Sequence, residues 1–310
     1  MSELRVILLC NGRFAIPALQ ELAFFKQLVL VAVPGDRPEI IERVNAALTG
    51  FEIPVLELKR NTYEKELIQV MKHYRVTMGL IMTFGYIIPA SVYTFPEKGF
   101  FNVHPGPLPF FQGPDPIFRQ IKNKELQAGV CIHEVEKKPD TGPVVLQQMI
   151  KLEKTDTHGI LLSKLSQLAA GMVRILMKLA KYDLKIPSKP QDNSLAVYYI
   201  KQQSIDITIN WLTMDSETIV ALIKACNPWN KGAVTKFNNG IIRLVEAEKI
   251  NGEAPDSILP GTVLAIHDNS INISTFGRQI IKIHIVYSDE GFLIASRLVQ
   301  VGLTIGSNFS

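Results

Sequence analysis

The chain has 310 residues, a length that suggests two domains of about 150 residues each. An apolar fraction of 47% and a charged fraction of 20% are typical of a globular protein with a sizeable core. The formal net charge of +4 is too small to indicate a nucleic-acid-binding or membrane-surface protein.

Strand and helix patterns alternate in the first half of the chain. Apolar runs predict strands at 4–10, 28–33, 53–58, 78–82, 99–103, 129–135 and 144–150. Apolar periodicity predicts helices at 14–25, 38–48, 62–74, 116–123 and 157–182. This alternation predicts a Rossmann-like, mostly parallel sheet with helices on both faces. The first strand-to-helix turn contains one glycine, so we predict no nicotinamide or flavin cofactor.

Short strands dominate the remainder. They are predicted at 205–209, 241–247, 261–266, 270–275 and 279–286, with one helix at 216–225. This spacing is typical of a small β-barrel or sandwich. We therefore predict a catalytic domain at 1–182, a polar linker at 183–203 and an OB-like C-terminal β-barrel domain at 204–310.

The three cysteines lack the spacing of metal ligands and are more typical of reduced thiols in a cytoplasmic protein than of disulfides. They are Cys10, Cys131 and Cys226. The N-terminus enters a strand pattern without the layout of a signal peptide. The longest apolar region, 159–180, contains Lys164, Arg174 and Lys178, so no membrane span is predicted. We expect a cytoplasmic protein with no membrane partner.

A proline-rich stretch follows the strand predicted at 99–103. Asn102 and His104 are two residues apart, so their side chains share one face of an extended strand. Five prolines and two glycines lie within 105–116 and end the strand. In α/β proteins, ligand sites lie at the carboxyl ends of the strands. Polar side chains at such a strand end are therefore candidates for a ligand site. The local sequence is equally compatible with a polar strand end before a proline-rich turn.

Asp140, followed by Thr141 and Gly142, forms a predicted turn between two strands. On its own, this segment is compatible with a plain hairpin. The Asp140 carboxylate becomes a candidate functional group because Asn102 and His104 occur earlier in the chain.

These three residues, with the Leu108-Pro109 pair between them, resemble the signature of the folate-dependent formyltransferases. This family includes methionyl-tRNA formyltransferase, nucleotide-sugar N-formyltransferases and glycinamide ribonucleotide formyltransferase. The segment Asn227-Pro228-Trp229 is similar to the element that opens the β-barrel of two-domain members. The resemblance covers nearly the whole chain.

The resemblance implies an enzyme that transfers a formyl group from 10-formyltetrahydrofolate to a primary amine without a metal. It assigns hydrogen bonding of the oxyanion to Asn102 and proton transfer to His104. Asp140 would orient His104 or an ordered water.

The resemblance also implies binding residues. The expected cofactor contacts are Phe84, Gly85, Tyr86, Ile87, Ile88, Pro89 and Asp140. The expected substrate contacts are Phe14, Leu108, Phe110, Phe111, Gln112 and Gly113. The histidines predicted to be surface or packed residues are His73, His133, His158, His267 and His284.

The chain departs from the family where the acceptor is expected. The usual Leu-Pro-Arg-Tyr-Arg-Gly loop has Phe110 and Gln112 in place of its arginines, so we expect a more apolar acceptor pocket. Residues 34–52, where tRNA formyltransferases insert a basic loop, contain two positive and four negative side chains. Residues 201–310 contain 9 Lys and Arg against 10 Asp and Glu, a net charge of −1. Since RNA binding draws on positive charge, tRNA is disfavoured as the acceptor.

The leading hypothesis is an N-formyltransferase acting on a small or carrier-attached amine. A nucleotide-linked amino sugar is the first candidate, and a carrier-tethered amine is the second. One alternative is methionyl-tRNA formyltransferase. Another is a non-catalytic folate- or nucleotide-binding protein, which should have lost at least one of the three catalytic residues. The acceptor, a possible homodimer, the role of the C-terminal domain and the pathway are left open.

Overall fold

The computed structural model describes residues 3–238 and 240–310. They form two compact units, each built from separate stretches of chain. The first unit contains the residues up to Pro116, Gln127–Ile150 and Leu162–Tyr199. The second contains Ile117–Leu126, Lys151–Leu161 and the residues from Ile200 onward. The assignment of separate roles to consecutive domains stays a prediction.

A seven-stranded sheet organises the first unit. Its strands are Val6–Cys10 (β1), Leu28–Pro34 (β2), Val55–Leu58 (β3), Met78–Met82 (β4), Phe100–His104 (β5), Gln127–Glu134 (β6) and Val144–Lys151 (β7). The order is β3-β2-β1-β4-β5-β6-β7. The pairs among β1 to β5 are parallel, and β6 runs antiparallel to β5. Every residue of β1 is buried, which explains its nearly continuous apolar sequence. The expected mostly parallel sheet is confirmed.

The helices of the described residues include all six that the sequence predicted and one of four residues that it did not predict. They are Ile16–Phe24 (α1), Pro38–Ala47 (α2), Tyr63–His73 (α3), Ala90–Tyr93 (α4), Pro116–Lys122 (α5), His158–Lys181 (α6) and Ser216–Cys226 (α7). Proline lies in the first turn of α1 and α2, where its missing N–H has no helical partner to lose. The Asp215 carboxylate caps α7 by accepting the Thr218 N–H at 2.8 Å. These features explain why sequence-based helix starts lie within two residues of those observed.

Within the described residues, α6 is the one helix long and apolar enough to cross a membrane by length and composition. Half of its most apolar stretch is buried in the protein, as in the core helix of a globular domain. Leu165, Ala169 and Val173 form a buried stripe, while Lys164 and Arg174 are exposed. Alternation of this kind is the pattern of an amphipathic core helix.

An antiparallel sheet organises the second unit. Its strands are Ala233–Phe237 (β8), Gly240–Ile250 (β9), Val263–His267 (β10), Ser270–Ser274 (β11), Ile280–Ser288 (β12) and Gly291–Ile294 (β13). The order is β10-β11-β12-β9-β8, and β13 pairs with β12. The chain end joins the two outer strands, since the Phe309 N–H donates to Gly261 O at 2.9 Å and the Lys236 N–H donates to Ser310 O at 2.8 Å. This link gives the sheet the closure expected of a barrel.

The strand predicted at 205–209 is wrong. Ser204–Ile207 is a short 3-10 turn because Asp206 accepts the backbone N–H of Gln203 at 3.1 Å. The Asp206 carboxylate also pairs with Arg119 and Lys122, at 3.1 Å each. Burial opposes the shift, but these two bonds and the one from the Gln203 N–H lower the pKa of Asp206 to about 2. Strands β8 and β13 were not predicted.

Candidate active site

Strand β5 delivers Asn102 and His104 to the carboxyl edge of the first sheet. His104 is 5% exposed and Asn102 is half-buried. The neighbouring strand β4 runs parallel, with Ile81 opposite Asn102, so the loop after β4 leaves from the same edge. Chain order and parallel pairing therefore bring the predicted catalytic and cofactor segments to one side of the sheet.

Asp140 lies between β6 and β7 and completes the predicted set. Its φ of 58° is in the left-handed region, which aspartate tolerates better than most residues. Its Oδ2 accepts the Gly113 N–H at 2.9 Å, and its Oδ1 accepts an amide N–H of Asn102 at 3.2 Å. His104 Nδ1 lies 3.6 Å from the same Oδ1. The three residues thus converge on one carboxylate.

His133 also belongs to this cluster, although the sequence predicted only a surface or packed histidine. It is 2% exposed and lies directly opposite Asn102 in the antiparallel pairing of β5 and β6. Its Nε2 is 3.0 Å from Asn102 Nδ2 and 3.5 Å from Asp140 Oδ1. Its Nδ1 is 2.8 Å from Glu134 O, a group that only accepts, so Nδ1 carries the proton of the neutral ring. The proximity of His133 to Asn102 results from the register of β5 and β6, which the sequence alone does not reveal.

Burial decides the resting charge of His104. Desolvation lowers the pKa of His104 below its ordinary value, although Asp140 acts in the opposite direction. The ring is therefore neutral near pH 7. His104 Nε2 is 2.6 Å from Phe111 O, which fixes the proton of the neutral ring on Nε2. The free nitrogen, Nδ1, is the one that can take up a proton beside Asp140.

Asp140 is ionised in this environment. Burial alone would raise the pKa of Asp140, but attraction to the His104 and His133 imidazoles in their protonated forms, together with the Gly113 N–H, holds it well below its usual range. A proton taken up at His104 Nδ1 is stabilised by this carboxylate. The pair is thus suited to accept a proton and return it.

Asn102 uses both amide hydrogens within the cluster, one toward His133 and one toward Asp140. To donate to a developing oxyanion, the amide has to release one of them. The bond to Asp140 is the longer of the two, at 3.2 Å against 3.0 Å. The bond to His133 can then keep the amide oriented.

The predicted cofactor loop, 84–89, contains an aromatic cluster. The rings of Phe84 and Tyr86 lie 5.2 Å apart, and Tyr63 of α3 lies 5.2 Å from Tyr86. The Tyr63 hydroxyl donates to Ile87 O at 2.7 Å, while the Ile87 side chain is 70% exposed. Ile88 is buried. Contact of this loop with a folate stays a prediction.

The predicted substrate residues differ in exposure. Phe14, Leu108, Phe111 and Gln112 are buried, whereas Phe110 is 45% exposed. The Phe111 ring stacks on Tyr199 with centroids 5.7 Å apart. Gly113 acts through its backbone, as a donor to Asp140. Direct substrate contact by these residues stays a prediction.

A polar cleft of about 390 Å³ adjoins the Asp140 turn. Its lining residues are Gln112, Glu136, Lys138, Thr141, Asn193 and Ala196. Glu136, Lys138 and Thr141 come from the β6–β7 connection, and Asn193 and Ala196 come from the segment after α6. Among residues 3–238 and 240–310, no group of three or more His, Cys, Asp or Glu could hold a metal ion.

A family model described as "Formyl transferase" matches residues 16–176. A second, described as "Formyl transferase, C-terminal domain", matches residues 201–291. The chain belongs to the formyl transferase family, and the protein is a transferase enzyme of that class.

Curated relatives are similar over nearly the whole chain. The methionyl-tRNA formyltransferase of Stenotrophomonas maltophilia (strain K279a) is 27% identical over 316 residues, covering 96% of this chain and 100% of that protein. The methionyl-tRNA formyltransferase of Nitrosospira multiformis is 29% identical over 308 residues, covering 96% of each.

Solved structures share the fold at lower identity. An N-formyltransferase from Helicobacter canadensis, in complex with folinic acid and dTDP-3-aminofucose, has a TM-score of 0.70 and 16% identity, covering 91% of this chain and 99% of that one. HypX from Aquifex aeolicus, in complex with tetrahydrofolic acid, has a TM-score of 0.64 and 19% identity, covering 96% of this chain. The present chain spans 47% of the HypX chain.

Proposed function

We propose that the chain transfers a formyl group from 10-formyltetrahydrofolate to the primary amine of a small or carrier-attached acceptor. The observation that carries this proposal is the convergence of Asn102, His104 and Asp140 at the edge of β5 in a member of the formyl transferase family. The folate-bound relatives support the choice of formyl donor. The free, buried cysteines are compatible with a reaction in the cytoplasm.

Three side chains take part in the reaction, each in a different role. The acceptor amine forms a C–N bond to the formyl carbon, and the formyl oxygen becomes an oxyanion. Asn102 donates an amide hydrogen to this oxyanion after releasing Asp140. His104 Nδ1 accepts the proton lost by the amine, with Asp140 stabilising the imidazolium. The same proton passes to the folate nitrogen as its C–N bond to the formyl carbon breaks, which leaves tetrahydrofolate and a neutral His104.

A nucleotide-linked amino sugar is the first candidate acceptor. The loop at 105–116 contains no Lys or Arg, and residues 201–310 have a net charge of −1 from 9 basic and 10 acidic side chains. These features do not favour an RNA acceptor, because RNA binding draws on positive charge. The polar cleft beside the Asp140 turn offers hydrogen-bonding groups suited to a hydroxylated acceptor.

Methionyl-tRNA is the alternative acceptor, after the amino sugar and a carrier-tethered amine. The observation in its favour is the similarity to methionyl-tRNA formyltransferases over 96% of the chain.

A panel of amines distinguishes these acceptors. The protein is incubated with 10-formyltetrahydrofolate and either dTDP-linked amino sugars, carrier-tethered amines or methionyl-tRNA, while folate absorbance reports turnover. We expect turnover with the amino sugars. Turnover with a carrier-tethered amine alone would establish that acceptor, and turnover with methionyl-tRNA alone would establish the alternative. Absence of both folate binding and turnover would contradict the proposed function.

A further inference from the structure

The segment Lys189–Tyr199, here called the strap, is bonded to the catalytic unit, although its sequence is that of a linker. Lys189 and Val144 exchange two backbone hydrogen bonds, of 2.8 and 2.9 Å, at the start of β7. Further along, the Val197 N–H donates to Pro109 O at 3.1 Å. The strap therefore contacts both loops that build the Asp140 environment.

One strap side chain holds the backbone of the Asp140 turn. Gln191 Nε2 donates to Asp140 O at 2.9 Å and to Gly142 O at 2.7 Å. Its Oε1 accepts an N–H of Gln112 Nε2 at 3.3 Å. Since Asp140 has a φ of 58°, its backbone conformation requires support from its surroundings.

The strap also holds the group that binds the Asp140 carboxylate. Gln112 N donates to Val197 O at 3.0 Å, and Tyr199 N donates to Gln112 O at 2.9 Å. These bonds place the next residue, Gly113, where its N–H reaches Asp140 Oδ2 at 2.9 Å. The backbone and the carboxylate of Asp140 are thus both held from the strap.

We infer that Gln191 is a positioning residue for formyl transfer, which keeps Asp140 against His104 through its two hydrogen bonds to the Asp140 turn. The inference rests on the proposed function. It predicts that the amide hydrogens of Gln191, rather than its volume, are what the reaction needs.

Two variants separate hydrogen bonding from packing. Gln191→Met keeps the length of the side chain but has no donor. Gln191→Glu keeps its shape but places a carboxylate against two carbonyl oxygens. Gln148→Met is the matched control, because Gln148 is an exposed residue of β7 in the same unit.

The test has a readout on His104 that needs no acceptor. The titratable groups around His104 are Asp140, His133 and the Cys131 thiol opposite it on β6. Asp140 favours the charged ring, so a displaced Asp140 lowers the pKa of His104. NMR titration of the His104 ring should show this fall in Gln191→Met and no change in Gln148→Met, whereas Gln191→Glu adds a charge of its own and is compared by its kcat. Thermal unfolding identifies any variant that has lost its fold, in which case the other variant is used.

Steady-state kinetics provide the second readout. For whichever acceptor the wild type uses, both Gln191 variants should lose at least about tenfold in kcat, while KM for 10-formyltetrahydrofolate changes less than about threefold. A folded Gln191→Met protein with the wild-type His104 titration would overturn the inference, as would unchanged kcat. If the wild type formylates no acceptor, the proposed function fails, and the NMR titration still decides the positioning of Asp140.

Discussion

At the scale of single residues, the surroundings of His104 determine which nitrogen can act as a base. Phe111 O occupies the Nε2 side at 2.6 Å, and Asp140 lies on the Nδ1 side. His104 and Asp140 could be predicted together because they match the signature of a known family, although they lie far apart in the sequence. The tautomer depends on Phe111 O, whose position results from the folding of the proline-rich loop.

Replacement of Asp140 by Asn should shift the pH profile of formyl transfer. The base has to be neutral, so the acid limb of kcat/KM follows the pKa of His104, which burial lowers below its ordinary value of about 6.5. Asp140 partly offsets that lowering, so its neutralisation moves the acid limb to lower pH and reduces kcat. The measurement is kcat/KM between pH 5 and 9 for both proteins. An acid limb that moves upward would contradict the assignment of His104 as the base.

Loss of His133 should lower turnover through Asn102. His133→Leu removes the acceptor that holds one amide hydrogen of Asn102 at 3.0 Å. Without this bond the amide is no longer oriented toward the oxyanion, so kcat should fall, up to the roughly 10²- to 10³-fold that loss of a whole oxyanion donor costs. His267→Leu is the control, since His267 is exposed. Equal kcat in the two variants would show that His133 has no part in the site.

At the scale of elements, strand β5 and its loop could be predicted, whereas the strap could not. The apolar run of β5 and the prolines after it are local signals. Residues 189–199 have neither helical nor strand periodicity. Their conformation is fixed by hydrogen bonds to residues far away in sequence, such as Gln112 and Val144. The strand expected at 205–209 failed for a related reason, because the partners of Asp206 on α5 are also distant in sequence.

Substitution of Gly113 by Ala should disrupt the contact between loop and strap. A Cβ at Gly113 would lie 2.1 Å from Tyr199 O, and the φ of +96° is itself strained for alanine. Gly50→Ala is the matched control, because Gly50 has a φ of +88° but no heavy atom within 4 Å of an added Cβ. Thermal unfolding should show a larger loss of stability for Gly113→Ala. Equal losses would mean that backbone strain alone explains the effect.

At the scale of the whole molecule, the alternation of strands and helices predicted the first sheet. The second sheet was predicted less completely, since β8 and β13 were missed and a strand was placed at 205–209. Its closure depends on the last residues of the chain, which pair with strands distant in sequence. Local patterns do not report such pairing, which explains why the barrel could be predicted only as a class.

Replacement of Phe309 by Ala should destabilise the second unit. Phe309 is 1% exposed, and its ring lies 5.3 Å from Phe237 and 6.1 Å from Trp211. Truncation of a buried phenylalanine costs about 3–5 kcal/mol. Phe276→Ala, at a 50% exposed position, should cost much less. Chemical denaturation measures both, and similar free energies of unfolding would contradict the role of Phe309 in closing the sheet.

In the proposed function, the cluster of Asn102, His104 and Asp140 transfers a formyl group to an amine. The most direct test is mass spectrometry of a dTDP-linked amino sugar after incubation with 10-formyltetrahydrofolate and either the wild-type protein or His104→Ala. We expect an N-formylated product with the wild type, and a rate lower by about 10²- to 10⁴-fold with the folded variant. Equal rates of product formation by the two proteins, or no formylated product with any amine of the panel, would contradict it.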